Sequence, residues 1–446
     1  MRSFRELPEA GLWAGAATAD LTPQSSTFLF GYPHVPRLST GVHDRLEAAA
    51  LYLRHGDQKI LFIANDLIFV DKALVREVRH RIGAHTGLPP HAIAITATHT
   101  HSGPVTVDCI SNGADPVVPK ADPMYLELIA SRLVEAGCAA IRSAVPAEAG
   151  MVAADAHGIG TNRHDPAGPA DPEVPVLLVR SRSQRRPLAC MIAYAMHTTV
   201  LHEDSTLISG DFPHFTRQYL RDRGFVPPGC PILYHNGASG NQSPRHVTKA
   251  NTFAEARRLG EMLGAAIAAV WQGIAFDNAP AIRVRCAHVE LCARVMPSMD
   301  AAQTRAYEAL QYFENLRRNQ ASRTAVRTAE CDWFGAEETV ALARAATDGR
   351  LEKAAADCAP AEIQVIELGP WKFVLWPGEF FVEYALEVKA ASPRTFVITL
   401  ANGELQGYIV TPEAVNRGVY EAGNALFSAD NGRRVVEATL ALLGKD

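Results

Sequence analysis

The feature that most constrains this chain is a set of short runs apolar at nearly every position. They include KILFIAND (59–66), AIAIT (92–96), VPVLLVR (174–180), ACMIAYAM (189–196), PILYHN (231–236), AEIQVIEL with KFVLW (361–376) and FVITLAN (396–402). Successive strand residues point to opposite faces, so a sheet with one wet face would alternate polar and apolar. Runs without alternation call for strands covered on both sides. Between them lie helical patterns at 125–141, 252–271 and 300–319, the second opened by Thr252 and Glu255 at capping-box spacing. The expectation is an α/β fold, a mixed β-sheet core with flanking helices. With no internal repeat and no long Pro/Gly/Ser linker, one domain is expected over 1–446.

Composition removes several classes of function. The 446 residues are 48% hydrophobic and 20% charged, ordinary for a globular chain, and the net charge is -5 with no Lys/Arg run longer than a pair. No nucleic-acid partner is expected. The longest uncharged apolar run, MLGAAIAAVW (262–271), is about half the ~20 residues of a bilayer span, so no transmembrane segment is expected. The start, MRSFRELPEAGLWAG (1–15), is broken by Arg2, Arg5, Glu6 and Glu9 and does not read as a secretory signal, which makes cytoplasmic residence the default. Eight scattered cysteines without a C-x-x-C pair read as reduced, mostly buried thiols.

In sheets with both faces covered, chemistry gathers in loops past strand ends. The run at 92–96 leads into TATHTHSGP (96–104), where His99 and His101 stand two apart, predicted on one face of the strand's end. On spacing alone a hydrogen-bonded pair is the commoner reason for such histidines. His197 closes ACMIAYAM, and Glu379 follows KFVLW through a Pro-Gly turn at the predicted start of a helix, a usual place for a capping carboxylate. Tyr408 and Tyr420 flank a turn beyond FVITLAN. The loop GASGNQSPRH (237–246) displays Ser239, Ser243 and His246 but lacks the last glycine of a G-x-S-x-G elbow, and the chain contains no H-E-x-x-H.

Taken in order, the segments ADLTP (19–23), FGY (30–32), GVHDRLEAAAL (41–51), ANDL (64–67), THTHSGP (98–104), TNR (161–163), MHTT (196–199), ISGDF (208–212), GNQSPR (240–245), PGEF (377–380), GYIVTPE (407–413) and YE (420–421) resemble the neutral/alkaline non-lysosomal ceramidases, zinc-dependent amidases. The resemblance implies Zn²⁺ held by His99, His197, Glu379 and the phenol oxygen of Tyr408, a donor set that suits this ion. It further implies His101 as the proton-transfer group, Arg163 and Tyr420 as stabilisers of the oxyanion, and Ser243 at the polar head of the substrate, with Asn241 and Arg163 beside it. The family's serine loop reads GDVSPN. Asn241 and Arg245 therefore replace an acid and an amide, which alters head-group recognition. The expected partner is a small-molecule or lipid N-acyl substrate, and the reading leaves room for a homo-oligomer. Two other functions compete: a metal-independent serine hydrolase using Ser243 with His246 or His101, and a non-catalytic binding protein on the same fold.

Overall fold

Alternate residues of the apolar runs go to different neighbours. In the strand Glu47–His55, Ala49, Leu51 and Leu53 join a cluster with Phe62, Phe373 and Ile398, whereas Ala48, Ala50 and Tyr52 join one with Val78, Ile82, Ile129 and Leu133. The first group faces another sheet and the second faces helices, which is why the runs carry no polar alternation.

The computed structural model describes residues 11–444, so the N-terminal reading rests largely on residues 1–10, outside the described residues. A large mixed sheet runs in the order Ile232–Asn236, Pro187–Tyr194, Glu173–Ser181, Val145–Asp155, Leu12–Asp20, Glu47–His55, Gln58–Asn65, Ile93–Ala97, with Phe276–Asp277 added on Val145–Asp155. Its two outermost pairings are parallel and those between are antiparallel. A second sheet orders Ile282–Val289, Ala361–Leu368, Trp371–Leu375 and Thr395–Ile398, the last pair parallel. The sheets pack face to face, with Phe62 and Phe373 edge-on at 6.0 Å between ring centres. Burying one such ring is worth about 1.5–3 kcal/mol.

Helices close both outer faces. Lys72–Thr86 and Pro123–Arg142 cover one part of the large sheet, and Phe212–Asp222 and Phe253–Val270 another. Val382–Ala391, Asp430–Leu443 and part of Arg323–Thr347 cover the second sheet. The α/β reading therefore holds, in four layers of helix, sheet, sheet and helix. The capping spacing at 252–255 is half realised: Thr252 accepts from the Glu255 amide, while the Glu255 carboxylate accepts from the Lys249 amide. All eight cysteines are free; Cys138, Cys190, Cys230 and Cys358 are buried, and Cys292 is exposed. Among the described residues no helix is long and apolar enough to cross a membrane.

Strands of both sheets deliver their ends to one place. His99 follows Ile93–Ala97, His197 follows Pro187–Tyr194, the serine loop follows Ile232–Asn236, Glu379 follows Trp371–Leu375, and Tyr408 follows Thr395–Ile398.

Candidate metal centre

His99 and His101 meet, but not by strand alternation. The strand ends at Ala97, and His99 has φ 65, a left-handed conformation costing about 1–3 kcal/mol for a residue with a side chain. The turn is fixed by the His99 amide donating to Leu67 O (2.9 Å) and the Thr98 amide to Asn65 O (2.8 Å). The expectation of two rings on one strand face is thus corrected. The chain reverses first, and the two rings then meet nearly perpendicular, at 84°, with their Nε2 atoms 3.2 Å apart.

His197 is held by its amide donating to Gln242 O (3.0 Å) and by Nδ1 against Ser239 O (2.6 Å). Glu379 is also placed differently from expectation. It lies on a two-residue strand, Glu379–Phe380, paired in parallel with Tyr408–Ile409 so that Glu379 is opposite Tyr408; the helix starts only at Val382. The pairing brings Glu379 Oε2 to 3.2 Å from His99 Nε2 and 3.0 Å from His197 Nε2, and Tyr408 Oη to 3.5 Å from His197 Nε2.

The chemistry of this cluster follows from what the other ring nitrogens do. His99 Nδ1 faces Ile68 O (3.0 Å), His101 Nδ1 faces Gly31 O (3.1 Å), and His197 Nδ1 faces Ser239 O. A carbonyl can only accept, so each Nδ1 carries a proton, and the neutral form of each ring is the tautomer whose Nε2 lone pair turns inward. Burial pushes His197 down to about 4, helped by Arg163, and pushes His101 well below the usual imidazole range, helped by His99 and His197. Burial works to raise Glu379, yet the adjoining His99 and His197 more than offset it, and the carboxyl stays ionised. Its Oε2 is buried and lacks hydrogen-bond geometry to any partner. The three imidazole donors lie within 4.8 Å of one another. Three Nε2 atoms and an ionised carboxylate gathered in one buried place have too few protons to satisfy all of one another, and a divalent cation would satisfy them. Backbone carbonyls orienting the rings are the usual support of a metal-binding histidine set. The residues therefore fit a metal of the imidazole- and carboxylate-binding type.

Around this centre, Arg163 donates from Nε to Glu421 (2.5 Å) and from a terminal nitrogen to Gly240 O (2.6 Å), and its guanidinium lies 5.2 Å from the Tyr408 ring centre. Burial raises the Tyr408 phenol, with Glu379 adding to it, and raises Tyr420, so both keep their protons in the metal-free chain. Tyr420 stands 5.9 Å from Tyr408, ring to ring, and lines the same cavity as Ser243, Arg163 and His101. Ser243 accepts from the Arg245 amide at 3.3 Å, and among the described residues no histidine hydrogen-bonds to its hydroxyl. His246 is turned to Arg163 O. The serine-hydrolase arrangement is thus without its base. Asn241 departs from its expected place at the substrate. Its Oδ1 accepts from the Val382 amide (3.0 Å) and its Nδ2 donates to Glu383 (2.8 Å), so this amide caps a helix from outside.

Two participants escaped the sequence reading. Glu421, beside Tyr420, is the counter-ion of Arg163; burial opposes its ionisation, but Arg163 holds it down at about 2. Gly31, within FGY, supplies the carbonyl for His101 and has φ 120, and a Cβ there would fall 2.3 Å from His101 Nδ1. Gly31→Ala is expected to displace the ring, lowering turnover at least about tenfold and stability by about 1 kcal/mol or more. Steady-state rates and thermal melting check both.

Residues 13–110 match the family described as neutral/alkaline non-lysosomal ceramidase, N-terminal, a stretch that includes His99 and His101. Neutral ceramidase 2 of Arabidopsis thaliana is 24% identical over 257 residues, covering 53% of this chain and 32% of that protein. Neutral ceramidase of Mycobacterium tuberculosis is 25% identical over 224 residues, covering 45% and 34%. The matched regions thus span about a third of the length of these curated relatives. The crystal structure of neutral ceramidase from Pseudomonas aeruginosa has the same fold, with a TM-score of 0.73 at 18% identity over 98% of this chain and 75% of that one. A ceramidase complexed with C2 gives a TM-score of 0.72 at 18% identity, covering 97% and 75%.

Proposed function

We propose, on the premise that the chain resembles the neutral/alkaline non-lysosomal ceramidases in its motifs and its fold, that it is a zinc-dependent amidohydrolase cleaving an N-acyl bond. The observation carrying this reading is the buried cluster of His99, His101 and His197, in which His99 Nε2 and His197 Nε2 both lie within 3.2 Å of the buried, unpartnered Glu379 Oε2. His99, His197, Glu379 and Tyr408 would hold the ion. When bound, zinc supplies a Lewis acid that polarises the amide carbonyl and lowers the pKa of water.

The chain's own residues do the rest. His101, its tautomer fixed by Gly31 O, offers the Nε2 lone pair as a base for water's proton and returns that proton to the nitrogen as the C–N bond breaks. Arg163, charged and anchored by Glu421, faces the cavity together with Tyr420, and the two donate to the oxyanion that develops on the carbonyl. Ser243 offers a hydroxyl to the polar part of the amine portion. Ceramide, or a smaller N-acyl compound, is the substrate class.

Elemental analysis of protein purified without chelators tests the reading. We expect about one zinc per chain in the wild type and none in Glu379→Ala. Metal-free wild-type protein that still hydrolyses an amide would overturn it.

A further inference from the structure

Two cavities meet at the centre and share His101, Tyr408 and Tyr420 in their walls, but the arginines line the larger one alone. The smaller, ≈ 70 Å³, adjoins His99 and Glu379 and has Phe30, Ile68 and Phe69 in its wall. The larger, ≈ 570 Å³, opens over His101, Tyr408 and Tyr420 and carries Arg163, Arg245, Arg323 and Arg327 against only Glu203 and Glu330. Both carboxylates are taken by Arg327, at 3.3 and 2.6 Å, and Arg163 is taken by Glu421.

Arg245 and Arg323 remain. Among the described residues no carboxylate lies within 4.0 Å of either guanidinium. Arg245 donates to Cys331 Sγ (3.5 Å) and Arg323 to Asn251 Oδ1 (3.1 Å), both neutral acceptors. Arg245 is half-buried, and its amide donates to Ser243 Oγ, so the guanidinium and the serine share one loop and one cavity. The first turn of the helix Arg323–Thr347 lines the same wall and adds the positive end of its dipole. Asp332 acts on Arg245 electrostatically but does not pair with it within 4.0 Å, so this half-buried cation has no direct ion pair, and an anionic occupant would supply one. A long uncharged amine chain would instead desolvate these arginines without recompense.

We propose that the substrate is an N-acyl compound whose amine portion bears an anionic group, such as the carboxylate of an N-acyl amino acid. Arg245 holds the anion with Arg323 beside it, and the acyl group lies toward Phe30, Ile68 and Phe69. This rests on the amidohydrolase reading and deepens it. Hydrolysis follows the same course: water adds to the carbonyl carbon, the C–N bond breaks, and the nitrogen leaves with a proton as an amino acid.

The test compares kcat/KM of the zinc-loaded protein for N-butanoylglycine, N-butanoylaminomethylphosphonate and the neutral N-butanoylglycinamide. We expect at least one anionic substrate to exceed the glycinamide by about tenfold or more, mainly through KM, the better of the two identifying the anion. In Arg245→Gln the ratio should fall toward one, and in Arg245→Lys part of it should return. Equal rates on charged and neutral substrates, with Arg245→Gln slowing both alike, would overturn the anion proposal and leave the amidohydrolase reading intact. If no amide is hydrolysed, that reading falls, and calorimetric titration of the same compounds decides the anion site alone. Tighter binding of a charged compound, lost in Arg245→Gln, sustains it, and equal or absent binding ends it.

Discussion

His99→Ala and His197→Ala are expected to purify without metal and without amide turnover, whereas His101→Ala keeps about one zinc per chain and loses turnover by about 10²- to 10⁴-fold. The three rings are chemically alike here, each buried or nearly so with Nδ1 on a backbone carbonyl, and they differ in what faces Nε2. His99 and His197 both lie within 3.2 Å of Glu379 Oε2, so removing either takes a donor from the carboxylate's own side of the cluster. His101 Nε2 lies 3.2 Å from His99 Nε2 and, among the described residues, comes within 4.0 Å of no carboxylate, while its ring lines the larger cavity, as that of His197 also does. What sets His101 apart is its place off the carboxylate, which leaves its Nε2 free to take a proton. Metal content measured beside turnover for the three variants separates the roles. Loss of metal in His101→Ala would make His101 a third imidazole ligand and move proton transfer to another group.

The apolar runs were readable because strands buried on both faces leave an unmistakable pattern, and the site was readable because its residues stand where those runs stop. The strands Leu12–Asp20 and Glu47–His55 carried no such mark. LWAGAATAD and EAAALYLRH are rich in alanine, which favours helices, and only packing reveals the reason for the small side chains. A Cβ on Gly15 would lie 2.2 Å from Ala140 O, so the helix Pro123–Arg142 sits almost on the strand. The left-handed turn at His99 has no signal in its own residue type. Glu421 stood in plain view after Tyr420, but its partner Arg163 is 258 residues away, and a lone carboxylate next to an aromatic names no partner. The resemblance of the serine loop places Asn241 with Ser243 at the substrate. The backbone turns between them, sending the amide to a helix start while Arg245, two residues beyond the serine, faces the cavity.

The largest stability effect is expected at Arg217, which is not itself a metal donor. This side chain from the helix Phe212–Asp222 makes a two-pronged ion pair with Asp66, 2.7 and 2.8 Å, and both residues are buried. Asp66 also accepts from the Glu47 amide and sits in the ANDL segment whose neighbours hold the site. Asn65 O and Leu67 O receive the amides of Thr98 and His99, and Ile68 O receives the His99 ring. Arg217→Ala leaves a buried carboxylate without its cation and is expected to cost about 3–5 kcal/mol in urea unfolding. Replacing both partners, as Asp66→Asn with Arg217→Met, removes the stranded charge and should recover more than half of that loss, because the penalty lies in the orphan and not in the absent bond. The wall behind His99 loosens at the same time, so zinc affinity in Arg217→Ala should fall about 10–100-fold, as when an outer-shell partner of a ligand is lost. A single variant within about 1 kcal/mol of wild type, with unchanged zinc affinity, would mean that the 65–68 segment is held by its backbone pairing alone and that the ion pair only fills space between helix and sheet.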